Sequence, residues 1–404
     1  MNTTVTANSL SPQSSRIYGL DVFRAFAILF VLIGHSFQQS KIPPEIATFG
    51  RLGIVGVELF FVLSGFLIGS IIMRLIEKKR FHSLADIYAF WKRRWLRTLP
   101  MYFVALLAFI GIDLHGRHQL HEYAAYFVFM QNFAYKIPEF FELSWSLAIE
   151  EHFYLWFPLV FLVFKKATKR AHLAIILTAV AFIIIAYVFR LSQPLFSDWN
   201  EYNRTIRLTV LSRIDAIMFG VLMAATKHYW QTGFAWIKRG TPLTAALLVL
   251  LCVWWLANMP HLLQSRTLQV NLFTAQSILC AMLLPWFDGL RSGGSRGGFF
   301  VLTSKLSYSL YLVHILVIIV VNNSLKYIGL FDQIYGNPFI LYSVYFSLFY
   351  LVSWFTYHQI EKPFLLLREA PLTRRSVAKA SWVTILVCAV LLVIISFFSL
   401  AYHD

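Results

Sequence analysis

Apolar positions in this chain gather into long blocks and do not alternate with polar ones. The stretch from Ala245 to Ala257 is apolar throughout, and Trp382 to Leu400 is broken only by Thr384, Ser396 and Ser399. A helix needs about 20 residues to cross a bilayer core. In lipid the backbone must satisfy its own polar groups, which makes helices the default. Short alternating segments, the mark of a transmembrane barrel, are missing. The blocks predict helices at 20–38, 52–75, 96–112, 144–164, 172–190, 208–226, 241–258, 270–287, 302–322, 339–358 and 381–401. The expected fold class is an all-α polytopic integral membrane protein, with about 10–12 transmembrane helices and eleven as the best count.

The polar stretches between the blocks orient the chain. With the amino terminus in the cytoplasm, the inner loops receive EKKRFH, KRRWLR, KKATKR, KHYW, IKRG, RSGGSR and REAPLTRRSVAK, while the outer loops hold far fewer basic residues. That asymmetry is the positive-inside pattern of a bacterial inner (plasma) membrane protein. Counting His121 to Phe133 as a span would put KKATKR outside, so this segment is expected to be re-entrant or interfacial. Residues 1–15 read as a polar, disordered tail with no secretory signal. Residues 16–366 form one membrane domain, and 367–404 a basic loop plus the last helix.

Composition sharpens the class. Apolar residues make up 58% of the 404 and charged ones only 13%, which excludes an ordinary soluble enzyme. The net charge of +16 follows mostly from the inner loops, leaving an anionic ligand to be sought at particular arginines. Cys252, Cys280 and Cys388 fall in apolar blocks and suggest no disulfide framework. His115, His118 and His121 recur at three-residue spacing in an outer loop. No cysteine or carboxylate completes a recognisable set, so no metal site is expected.

Ionisable residues inside spans are costly and therefore informative. Arg24 and His35 lie eleven residues apart on nearly the same face of the first helix, about 16 Å along its axis. Arg94 and Arg97 share a face at the start of the third, and the arginine fork suits phosphate. The fourth helix opens with Ser146, Glu150, Glu151 and His152. Adjacent residues point about 100° apart, so at most one of the glutamates faces a common site. A carboxylate there could hold the His35 imidazole in one tautomer. Glu58 and Ser64 intrude in the second span. Arg213 and Asp215 in the sixth read as a structural pair. Tyr308, Tyr311 and His314 intrude in the ninth, where Tyr311 and His314 share a face and could line a cavity or fill the core.

At these residues the chain resembles the acyltransferase family 3 of membrane O-acyltransferases. GLDVFRAFAILFVLIGHS looks like the family's opening motif, an arginine, ten residues and a histidine. FFVLSGFLIG, RRWLRTLP, WSLAIEEHFYLWFP, RIDAIMFGVLMA, SYSLYLVH and IEKPF resemble later family segments in the expected order, with His152 where the family usually has glutamine. The resemblance covers about Gly19 to Phe364. It implies a cytoplasmic acyl-CoA donor, a carbohydrate acceptor presented outside, and His35 as the catalytic histidine. Some members add an outer hydrolase-like domain, which is not expected within these residues.

The expected chemistry joins the two arguments. Arg24, Arg94 and Arg97 would clamp the phosphates of acetyl-CoA or another acyl-CoA, a co-substrate and not a tightly bound cofactor. His35 would act as general base on a sugar hydroxyl or form an acyl-histidine first. Glu150 or Glu151 would orient or charge-balance its ring. Ser64, Ser146 and Tyr311 are the candidates for stabilising the oxyanion, with His314 beside the substrate. Expected partners are the acyl-CoA, a carbohydrate acceptor that could be lipid-linked, and membrane lipids; nucleic acid is not among them. The outer segments LSQPLFSDWNEYNRTIR and NMPHLLQSRTLQ carry aromatic and polar residues suited to sugar. The alternatives are an acceptor that is a small lipophilic molecule such as a macrolide, or a transporter or flippase of glycans, for which internal repeats would argue; none is found.

Overall fold

The computed structural model describes residues 16–38, 48–113, 120–291 and 298–367, at Thr48, Phe49, Leu120 and His121 by backbone alone. The expected tail at 1–15, the basic loop and last helix beyond Leu367, Cys388, most of the SGGSRGG loop, and His115 and His118 lie outside those residues. Among the described residues every regular element is helical. Eight helices are long and apolar enough to cross a bilayer, and two further pairs, each bent by 60°, bring the number to ten. These ten overlie the first ten expected spans; the eleventh, 381–401, is outside the described residues.

The helices are α1 (Tyr18–Phe37), α2 (Leu52–Glu77), α3 (Leu84–Asp113), α4 (Leu120–Phe127), α5 (Ser144–Thr168), α6 (Ala171–Ser192), α7 (Trp199–Tyr202), α8 (Val210–Tyr229), α9 (Gln231–Arg239), α10 (Thr241–Ala257), α11 (Arg266–Asp288), α12 (Gly298–Tyr327) and α13 (Pro338–Thr356). A 3-10 turn at Thr48–Arg51 and short helical turns at Met259–Gln264, Phe331–Tyr335 and Lys362–Leu367 accompany them. Two segments are wound as π-helix, Asn203–Arg207 after α7 and Tyr357–Glu361 after α13. The helix α4 has eight residues, about 12 Å of rise, and does not reach across a bilayer.

Burial separates the centre from the rim. The apolar windows of α1 and α12 are 61% and 67% buried, those of α6 and α13 only 33% and 28%. The polar intrusions singled out in the sequence lie mainly on the central helices. The helix α2 packs most extensively on α8 and α1. Gly65 and Gly220 set the first of these approaches. A Cβ on Gly65 would stand 1.9 Å from the Ile217 carbonyl oxygen, and one on Gly220 would stand 1.9 Å from that of Val62. Small residues let membrane helices come this close.

Two buried ion pairs tie the bundle and correct one expectation. Arg213 and Asp215 do not pair with each other. Arg213 Nη2 reaches Glu58 at 2.5 Å, with Ser277 donating to the same carboxylate at 2.7 Å. Asp215 accepts from Arg190 at 2.9 Å and from Thr274 at 3.0 Å. Residues two apart point to opposite sides of a helix, so each finds a partner on another one: α2 and α11 for Arg213, α6 and α11 for Asp215. A charge this deep needs such a partner to be tolerated.

Candidate active site

Two cavities meet inside the bundle. The inner one, about 90 Å³, is lined by Arg24 of α1, Arg94 and Arg97 of α3, Ser64 of α2, Ser146, Glu150 and Tyr154 of α5, and Tyr308 and Tyr311 of α12. The outer one, about 490 Å³, holds His35 with Arg51, Trp145, Trp199, Asn203 and Arg207. Tyr311 and Val57 line both, so they form the shared wall. Arg24 and His35, on one face of α1, open into different cavities.

The inner cavity gathers three guanidinium groups around one carboxylate. Arg94 lays its guanidinium 4.1 Å over the Tyr154 ring, and its buried Nε has no hydrogen-bond partner among the described residues. Tyr154 donates to Glu150 Oε2 at 2.7 Å, and Ser64 bonds the same Tyr154 hydroxyl. Glu150 therefore faces the arginines through a fixed tyrosine. Glu151 points elsewhere and accepts from Thr98 at 2.8 Å. Tyr308 in turn donates to the Thr98 carbonyl at 2.7 Å. These two bonds lock the turn of α3 that carries Arg94 and Arg97.

His35 is held without a carboxylate, which departs from the expected role of Glu150 and Glu151. Its Nδ1 lies 3.0 Å from the Val31 carbonyl and 3.3 Å from His314 Nε2. His314 Nδ1 lies 3.0 Å from the Leu310 carbonyl. A single assignment satisfies all three bonds: both rings carry the proton on Nδ1. His314 then accepts from His35, and His35 Nε2 keeps its lone pair, with no protein partner among the described residues. The two glutamates instead serve the arginine end. A run of adjacent acids fixes their angle on α5, but not which neighbouring helix each will meet.

Of the oxyanion candidates, Ser146 bonds the Tyr311 hydroxyl at 2.6 Å, and Tyr311 donates to the Leu143 carbonyl at 3.1 Å. Ser146 and Tyr311 thus stand at the shared wall, while Ser64 lies at the Glu150 end. His152, expected beside the acids, points away and bonds the Phe129 carbonyl at 3.1 Å. Among the described residues no group of three or more His, Cys, Asp or Glu side chains could hold a metal ion.

Arg207, Glu361 and Tyr154 were not singled out in the sequence. Arg207 sits in a segment read as an outer loop; it ends the π-helical turn and lines the outer cavity. Glu361, in the IEKPF segment, is buried and accepts from Ser309 at 3.0 Å. Tyr154 was visible only as an aromatic in an apolar helix. The second outer segment, expected to meet sugar, does not line the cavity; Leu262 and Leu268 pack near Trp255 and Phe273 instead.

A family profile described as an acyltransferase domain matches residues 17–358. The chain belongs to the acyltransferase family 3. A Staphylococcus aureus (strain COL) protein provisionally named an O-acetyltransferase is 26% identical over 385 residues, covering 86% of this chain and 57% of that one. The peptidoglycan O-acetyltransferase OatA of Listeria monocytogenes serovar 1/2a is 30% identical over 171 residues, 38% of this chain and 25% of its own. A Bacillus subtilis (strain 168) protein provisionally named a peptidoglycan O-acetyltransferase, YrhL, is 26% identical over 382 residues, 86% and 54% of the two chains. The chain spans about half the length, or less, of these family relatives. No solved structure matches it. Both cavities fall within the matched region; the family motifs contribute Arg24, His35, Arg94, Arg97 and Glu150 to their walls, and His314 backs His35.

Proposed function

We propose that this multi-pass membrane protein is an O-acyltransferase that moves an acyl group, most simply acetyl, from cytoplasmic acyl-CoA to a hydroxyl of a cell-surface carbohydrate. The observation that supports the reading is the pair of cavities that share Tyr311 as a wall, with a guanidinium cluster in one and an imidazole with an open Nε2 in the other. The names of the relatives agree with O-acetyl transfer and favour a cell-wall glycan as acceptor.

In this reading the protein sits in the bacterial inner membrane with its amino terminus in the cytoplasm. Arg24, Arg94 and Arg97 hold the CoA phosphates at the inner mouth, where charge-assisted hydrogen bonds are strong. The inner cavity is narrow, as a pantetheine arm requires, while the outer one falls in the range of ordinary ligand pockets. His35 Nε2 takes the proton of the sugar hydroxyl as the oxygen attacks the thioester carbonyl. The new C–O bond forms, the C–S bond breaks, and the proton passes from His35 to the departing CoA sulfur. Held by the Val31 carbonyl and His314, the ring keeps Nε2 aimed at the acceptor through both proton transfers. Tyr311 and Ser146 would serve the oxyanion by turning their hydroxyls from the Leu143 carbonyl and from each other.

The test is release of free CoA by the purified protein in liposomes, given acetyl-CoA and a panel of cell-envelope glycans. Turnover that requires a glycan and vanishes in His35→Ala supports the reading. Glycan uptake without CoA release would make the protein a transporter.

A further inference from the structure

Three arginines among the described residues are almost fully buried, and one of them forms no ion pair, since the buried carboxylate of Glu58 is held by Arg213. Arg190 is paired with Asp215 and Arg213 with Glu58. Arg207 is 9% exposed and forms no ion pair among the described residues. Its guanidinium lies 4.7 Å over the face of Trp145. One Nη donates to the neutral Asn203 side chain at 3.3 Å, and the buried Nε has no partner among the described residues. A desolvated guanidinium in this state is costly unless an anion completes it.

The surroundings say where that anion would sit. Arg207 lines the same outer cavity as His35, and so does a second guanidinium, Arg51, which stands 5.9 Å over the Trp255 ring. Trp199, stacked on Trp255 at 5.5 Å, offers the cavity a flat aromatic face of the kind sugar rings favour. Glu142 also lines the cavity, but it is exposed and is not within ion-pair distance of Arg207.

We infer that the outer cavity takes an acceptor that itself carries an anionic group, a carboxylate or a phosphate, which Arg207 holds while a neighbouring hydroxyl meets His35. This deepens the acceptor side of the proposed transfer and rests on that reading. Arg207 is then a specificity residue. Its fork fits either oxyanion in a bidentate way, and its position in the cavity sets how far from the charge the acylated hydroxyl lies.

Calorimetric titration of the purified full-length protein tests this without requiring turnover. Three probes share one neutral disaccharide and end in glucuronate, glucose 6-phosphate or glucose; acetyl-CoA is titrated separately. At least one charged probe should bind roughly tenfold tighter than the neutral one, as a charge-assisted contact predicts. Arg207→Gln should bring the ratio to within about twofold, and Arg207→Lys should keep part of it. Whether glucuronate or the phosphate wins identifies the group. Equal binding of all three probes, binding of none, or a preference that survives Arg207→Gln would each overturn the inference. Acetyl-CoA binding unchanged in Arg207→Gln shows that the variant is folded. Loss of acetyl-CoA binding in wild type would instead count against the donor reading.

Discussion

The inner and outer cavities are built by different means. The inner one is made from residues on regular helices, and its carboxylate and hydroxyl groups hold one another. Ser64 holds Tyr154, Tyr154 holds Glu150, and Thr98 and Tyr308 fix the turn bearing Arg94 and Arg97. The outer one is five times larger by volume and draws on irregular segments, the π-helical turn at Asn203–Arg207 and the chain around Arg51 and Glu142. In the proposed transfer the close-knit inner cavity would take the donor's fixed nucleotide end and the larger outer cavity the acceptor.

Variants can break that contrast, beginning with the residue at which the two sides converge. His35→Ala should lower transfer by roughly 10²- to 10⁴-fold, the usual worth of a general base. Acetyl-CoA binding should stay within experimental error, as checked by calorimetry; if the two fall together, the cavities are not separate in function. Next, Arg94→Ala and Arg97→Ala should each raise KM for acetyl-CoA by about tenfold or more, the loss of a hydrogen bond to a charged group. Their KM for the acceptor should not move, which steady-state kinetics with both substrates varied would show. His314→Gln should reduce kcat by about tenfold with both KM values unchanged, because His35 keeps the Val31 carbonyl and loses one of two restraints. A matching rise in KM would mean that His314 touches substrate instead. The smallest effect is expected at Glu151. Glu151→Gln should leave activity nearly intact by retaining an acceptor for Thr98. Glu151→Ala should lower the unfolding midpoint by a few degrees, consistent with about 1–3 kcal/mol for an unsatisfied buried partner.

The sequence carried more of the fold than of the site. Blocks of apolar residues place the ten helices because lipid imposes one length and one hydrogen-bonding solution. What they miss is amphipathic or bent. The stretch QTGFAWIKR before α10 and the turn after α7 are too polar for a hydropathy window, though each joins its neighbour across a 60° bend. Arg24, Arg94, Arg97 and His35 were legible because each is a charge or an imidazole where lipid should be. Their partners were not. Nothing local says that Arg213 meets Glu58 on α2 and not Asp215 on its own helix, or that His35 leans on His314. Helical spacing fixes a face, and the choice of neighbour is a property of the whole bundle.

The reciprocal fit of Gly65 and Gly220 bears on how a group could cross the membrane at all. Carriers of the alternating type rock one half against the other, so some pair of central helices must slide. Here α2 and α8 are seated so that each glycine lies under the opposing main chain, and a shift of one residue would drive a side chain into backbone. That seam behaves as a fixed hull plank, not a hinge. In the proposed transfer, passage would then be a relay across a seam that holds still, with the donor arm and a proton as the moving parts.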